Sequence, residues 1–187
     1  NSKKLNKFSQ ILYAGSLGYY FRNNKEDFPK KNYIKITENQ IKEGKFALRK
    51  LKKQYKIGLS WKSFNNIYSK QKSLSLNEFK KVINNDSFDF INLQYGNIEK
   101  ELIKFNNSSN SIIHTLDNLD LFNDFVKIAG ILKNIDLFIT VSNSTAHLAG
   151  ALGVKTLLIK PFNQATFHYW NQGSNRTTWY DSVEIIE

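Results

Sequence analysis

The chain has 187 residues, 41% hydrophobic and 14% aromatic, which is room for one ordinary domain with a buried core. It has no cysteine, so disulfides, thiolate metal sites and cysteine nucleophiles are excluded, and three histidines (His114, His147 and His168) supply little for a zinc site. No apolar run approaches the roughly 20 residues of a membrane span. The chain opens at Asn1 without a signal-peptide pattern. A cytoplasmic location is the expectation.

The net charge is +11, and it is uneven. Residues 1–104 carry 22 basic and 9 acidic side chains, a net of +13, whereas residues 105–187 carry 5 and 7, a net of −2. Such a basic half attracts nucleic acid, acidic lipid or a phosphorylated small molecule. Yet 24 of the 27 cations are lysine, and only Arg22, Arg49 and Arg176 offer a planar fork. Lysine is a solvated point charge, poorly matched to bidentate reading of bases. A solvated surface is the expectation, and nucleic acid is not an expected partner.

Residues 1–55 are mostly polar, with apolar patches at Phe8–Tyr13 and Leu17–Phe21. Arg22–Asn32, with Pro29 and a run of charges, reads as a loop. Asn39–Lys53 spaces Ile41, Phe46, Leu48 and Leu51 as an amphipathic helix, weakened at Gly44. From Lys56 the pattern alternates. Strands are predicted at 56–61, 88–94, 111–116, 136–142, 156–160 and 183–186. Helices are predicted at 75–83, 97–105, 121–133 and 144–152. Alternation of this kind implies a parallel sheet covered on both faces, with the apolar strand Asp136–Val141 at its centre. The expected fold class is α/β, a doubly wound Rossmann-like domain over 56–187. Residues 1–55 form a mostly helical appendage or linker. The ligand crevice lies at the carboxyl ends of the strands.

The most informative segment is DLFITVSNSTAHLAGALGVKTLLIKP, residues 136–161. Its strand ends in Ser142, Asn143, Ser144 and Thr145, and a helix rich in small residues follows, with His147 one turn in. The amides and dipole of such a helix start favour an anion, and the hydroxyl and amide side chains can bind phosphate or sugar oxygens. No G-x-G-x-x-G follows a strand and no G-x-x-x-x-G-K-[ST] occurs, which argues against a dinucleotide oxidoreductase and a P-loop NTPase. Asp117, Asp120 and Asp124 are spaced unlike an EF-hand loop and read as helix caps, so no metal is expected.

At these residues the chain resembles the carboxyl-terminal domain of GT-B glycosyltransferases. It is close to the ADP-heptose:lipopolysaccharide heptosyltransferases and to the glycosyltransferase domain that ends many bacterial tetratricopeptide-repeat proteins. KIGLSW (56–61), QKSLSLNEF (71–79), FINLQYG (90–96), residues 117–161 and WNQGSNRTTWYDSVEIIE (170–187) carry the resemblance in that order. Many relatives have Asp where Ser142 stands and Arg where Lys72 stands.

The resemblance implies metal-independent sugar transfer from a nucleoside-diphosphate sugar, with no cofactor. It implies charge stabilisation on the leaving diphosphate by the backbone of Asn143–Thr145, the hydroxyls of Ser144 and Thr145, and a lysine, Lys62 or Lys72. Trp61 and Gln94 would line the crevice beside Ser142 and His147. Asn118–Phe122 would meet the nucleoside, with Phe122 as a stacking surface. His168 ranks below His147, and no catalytic base is assigned. Because GT-B sites lie between two halves, a separate amino-terminal half or a second copy is the expected partner. The alternative is a non-catalytic interaction module, which predicts an exposed apolar face at Phe8–Phe21.

Overall fold

The computed structural model describes residues 11–28, 32–64, 69–80, 83, 85, 87–160, 169–170 and 175–187. Six parallel strands form one sheet: β1 (Tyr55–Ser60), β2 (Phe88–Asn92), β3 (Ile113–His114), β4 (Leu137–Val141), β5 (Thr156–Ile159) and β6 (Val183–Ile186). Their order is β3-β2-β1-β4-β5-β6. The chain winds outward from β1 to β3, returns to place β4 on the other side of β1, and winds outward again. Ile57 of β1 therefore lies between Phe90 of β2 and Leu137 of β4. The expected Rossmann-like α/β architecture is the one observed, with the apolar strand β4 paired to β1 at the middle.

Burial explains why these segments are strands. Ile57–Ser60 and Phe138–Val141 are buried without alternation, as befits strands covered on both faces. One core layer gathers Leu59, Trp61, Phe79, Phe90 and Phe105. The opposite layer gathers Leu93, Ile128, Leu132, Phe138 and Leu152.

Helix α1 (Leu17–Phe21) buries nothing, and Tyr13, Tyr19, Tyr20 and Phe21 stand exposed. Among the described residues, the apolar segment before Arg22 thus has an open face. Helix α2 (Glu38–Ala47) starts at a reciprocal cap: Gln40 N–H donates to Thr37 Oγ1 at 3.3 Å, and Thr37 N–H donates to Gln40 Oε1 at 2.7 Å. It crosses α6 (Phe125–Leu132) at two glycines. A Cβ on Gly44 would lie 2.1 Å from Gly130 O, and one on Gly130 would lie 2.4 Å from Gln40 O. Asn134 Nδ2 fastens the crossing by donating to Ile41 O at 2.9 Å and Gly130 O at 2.7 Å. Gly44, read from sequence as a weak point in the helix, is where the second helix seats.

The remaining helices are α3 (Ser69–Lys72), α4 (Leu76–Phe79), α5 (Glu99–Ser108) and α7 (Ser144–Leu152). Several ends differ from expectation for local reasons. The helix expected through Lys53 stops at Ala47, because Leu48 turns into the core and Lys53 N–H donates to Asp89 Oδ2 at 2.8 Å. The strand expected over 111–116 shrinks to Ile113–His114, where Asn106 bonds both backbone groups of Ile113 and blocks the sheet edge. Helix α6 begins at Phe125 rather than Leu121. Asp124 caps it through Lys127 N–H at 3.0 Å, while Asp120 accepts from Phe122 N–H at 2.8 Å in the preceding turn. Hydrogen bonds from the Asn123 side chain and from the Phe122 and Asn123 amides hold the Asp120 carboxyl below its usual pKa. Helix α3 had no counterpart in the sequence reading, and the helix expected at 75–83 is described only as Leu76–Phe79. Among the described residues no helix is long and apolar enough to cross a membrane.

The glycine crossing yields a prediction. Gly44→Ala or Gly130→Ala forces α2 and α6 apart and lowers unfolding free energy by about 1–3 kcal/mol in urea titrations. Gly18→Ala, where nothing lies within 4 Å, leaves it within about 0.5 kcal/mol. Equal effects at all three positions would refute the crossing as a constraint.

Candidate functional site

The winding reverses between β1 and β4, and the carboxyl ends of such strands are where an open α/β sheet places a ligand crevice. Two buried side-chain amides organise it. Gln94 Oε1 accepts from Ser60 Oγ at 3.0 Å, Trp61 N–H at 2.8 Å and Lys62 N–H at 2.6 Å. Its Nε2 donates to Tyr95 O at 2.7 Å. Asn143 Nδ2 donates to Ser60 Oγ at 2.8 Å, with longer contacts to Thr140 Oγ1 at 3.3 Å and Lys62 O at 3.4 Å. Asn143 Oδ1 meanwhile accepts from Ala146 N–H at 3.0 Å and caps α7. The ends of β1, β2 and β4 are thereby tied into one polar cluster.

In the turn after β4, Ser142, Asn143 and Thr145 are buried and Ser144 is exposed. Ser142 Oγ accepts from Trp170 Nε1 at 3.0 Å, so this hydroxyl is engaged with an indole. The exposed Ser144 and buried Thr145 occupy the first two helical positions, where an amide has no carbonyl one turn behind it. His147 Nδ1 lies 2.9 Å from Tyr180 OH, and its ring stacks on Trp170 at a centroid distance of 4.7 Å. Tyr33 stacks on Tyr180 in turn. Partial desolvation, then the hydrogen bond with Tyr180, raises the pKa of the half-exposed Tyr33 phenol. Gly150 accommodates this group, since a Cβ there would meet the Tyr180 ring at 2.5 Å. The small residues of α7 thus make room for an aromatic cluster as well as for the sheet.

Trp61 is fully buried, and its Nε1 donates to Glu101 Oε2 at 3.3 Å. Lys62 forms an ion pair with the same carboxylate. Lys72 is 6% exposed, and loss of solvation lowers its pKa. Gln94 and Phe122 come together on one cleft of about 670 Å³, which Tyr95 also lines. There Phe122 is 62% exposed and meets Tyr95 edge-on at 5.6 Å. The exposure makes Phe122 an open ring rather than a core residue of the next helix. Asn118, in the left-handed region at φ 55°, opens instead on a neighbouring cleft of about 860 Å³ beside α2. The turn Ser142–Thr145 lines neither cleft. His168 lies outside the described residues.

The structure thus gathers Trp61, Lys62, Gln94, Ser142, Asn143, Ser144, Thr145 and His147 around one strand-end cluster. It sets Phe122 and Asn118 on two adjoining clefts. Sequence reasoning missed Ser60, Glu101, Trp170 and Tyr180 as partners in this region. The aromatic residues of FHYW and TTWY were a signal for Trp170 and Tyr180; Glu101, in a polar helix face, gave none.

No protein-family profile matches the chain. Protein FlbA of Caulobacter vibrioides is 29% identical over 163 residues, which is 86% of this chain and 27% of that protein. The chain spans about a quarter of that relative's length. The crystal structure of a family 9 glycosyl transferase from Veillonella parvula superposes on 82% of this chain and 42% of its own, with a TM-score of 0.62 at 11% identity. The six-stranded α/β fold is similar to that of this glycosyl transferase structure. At that identity the shared feature is the α/β architecture.

The amide cluster has a measurable signature. Gln94→Leu strands the Trp61 and Lys62 amides and costs about 2–3 kcal/mol, and Asn143→Ala removes a cap and a buried donor for about 2 kcal/mol. Because both amides bond Ser60 Oγ, the double variant should lose at least about 0.5 kcal/mol less than the summed singles. Strict additivity in urea unfolding would show that the two amides act separately.

Proposed function

We propose that this chain is the donor-binding half of a glycosyltransferase, taking a nucleoside-diphosphate sugar for transfer without a metal. The observation that carries the reading is the start of α7 at the sheet's switch point. There Asn143 caps the helix from inside while Ser144 faces outward. The sheet's similarity in fold to a family 9 glycosyl transferase supports it.

In this reading the departing diphosphate settles against the Ser144 and Thr145 amides and the Ser144 hydroxyl. The dipole of α7 opposes its negative charge. Lys72, on α3, is the second lysine this reading assigns to the diphosphate. The nucleoside lies over the Tyr95–Phe122 cleft, with Phe122 as stacking surface. Ser142 serves the wall through Trp170 rather than the sugar. No residue is assigned as base, and the acceptor belongs to the partner half. A cytoplasmic location belongs to the same proposal, because sugar nucleotides are made there.

A second reading, an interaction module that keeps the fold without the chemistry, draws on the exposed Tyr13, Tyr19, Tyr20 and Phe21. An apolar face of that kind suits a second α/β half or another copy of the chain.

Calorimetric titration with UDP, GDP and ADP separates the two. The donor reading expects heat from at least one nucleotide, an affinity lowered roughly tenfold by Ser144→Asp through charge repulsion, and a loss of about threefold or more with Phe122→Ala. No heat from any of the three leaves the interaction module, whose own signature is self-association abolished by Tyr19→Ser with Phe21→Ser.

A further inference from the structure

We infer that Glu101 is a latch on Lys62: it holds the ammonium in reserve beside the crevice, and a diphosphate arriving there takes the lysine from it. The inference rests on the donor-binding reading and names a positioning residue for that site.

Glu101, on α5, receives three donors from two other segments. Oε2 accepts from Trp61 Nε1 at 3.3 Å and from Lys62 Nζ, and Oε1 accepts from Leu76 N–H at 3.2 Å. The Lys62 backbone is fixed independently, its N–H on Gln94 Oε1 and its carbonyl within 3.4 Å of Asn143 Nδ2. Its Cα is therefore pinned beside the capped start of α7, while the four-carbon stem remains the movable part.

Two further facts make exchange feasible. The pair is only half-buried, with side-chain exposures of 31% for Lys62 and 27% for Glu101, so neither charge needs full desolvation to part. When the ammonium leaves, the carboxylate still accepts from the Trp61 indole and the Leu76 amide. It is not left as an unpaired buried charge, the condition that makes breaking most interior pairs costly. A diphosphate outcompetes it by offering more negative charge and more acceptor oxygens to the same lysine. Lys62 then complements the helix start, and Glu101 continues to hold Trp61 and α4 in place.

The test uses the full chain with ADP and inorganic pyrophosphate as probes, titrated by calorimetry at low salt. Glu101→Gln should tighten pyrophosphate binding roughly three- to tenfold, by removing the competitor. Lys62→Met should weaken it by a similar factor while leaving the Glu101 bonds to Trp61 and Leu76. The double variant should match Lys62→Met alone. A purely structural Glu101 predicts weaker or unchanged binding in Glu101→Gln, and a general charge effect predicts a gain that survives in the double variant; either result overturns the latch. If Glu101→Gln does not fold, Lys62→Met decides, since unchanged affinity there also overturns it. ADP binding that is indifferent to both substitutions removes the latch and leaves the donor reading standing. Failure of every variant and of the parent chain to bind either probe removes both.

Discussion

The hydroxyl of Ser60 is where the carboxyl ends of three strands are tied together. It lies at the end of β1 in the middle of the sheet, fully buried, donating to the Gln94 amide and accepting from the Asn143 amide. Neither amide is decorative. A buried carboxamide with no partners would cost several kcal/mol, so each must find bonds in the one arrangement that aligns three strand ends. The same requirement fixes the Trp61–Lys62 turn, whose two amides share the oxygen that Ser60 uses. It also fixes the start of α7, because the Asn143 oxygen that faces away from Ser60 is the helix cap. The ends of β1, β2 and β4 and the start of α7 are therefore one hydrogen-bonded object.

That object needs a rigid frame, and the frame comes from close backbone approach. Gly44 and Gly130 let α2 press on α6, and α6 covers the sheet face carrying Leu93 and Phe138. The residues around α2 belong to the α/β body by packing, although they precede the first strand. On the other flank Tyr33 and Phe28 reach Tyr180 and Trp179, so the segment leading into α2 also braces the aromatic group around His147. In contrast, Gly15 and Gly18 meet nothing, and the aromatic residues beside them face outward. Constraint is concentrated where the strand ends must hold still.

The sheet was legible because β4 and β1 are apolar without alternation, a pattern that only a strand covered on both faces sustains. The extent of α7 was legible from Asn143 at its start and Gly153, at φ 71°, just past its end. The end of α2 was not, because the helical spacing of Leu48 and Leu51 continues past the point where Leu48 turns into the core. At the site, polar residues at strand ends could be named from sequence, but not what each one faces. Ser142 looked like a ligand group and is engaged by Trp170, 28 positions later. Lys62 looked like a free cation for the diphosphate and is paired with Glu101, 39 positions away. Long-range pairing of side chains leaves no periodic trace, and that is where the reading from residues runs out.

The charge distribution makes sense on the same terms. A surface rich in lysine and nearly without arginine cannot supply planar forks for a phosphate, and Arg22 and Arg49 are spent over the Phe28 and Phe46 rings. In the proposed donor site the anion-favouring elements are instead backbone amides and the dipole of α7, which need no long flexible cation to be ordered beforehand. The two lysines assigned to the proposed site are each restrained, Lys72 by burial and Lys62 by its ion pair with Glu101. If the proposed donor site is right, its geometry is held by these bonds before a diphosphate arrives, and Lys62 is the charge kept beside it.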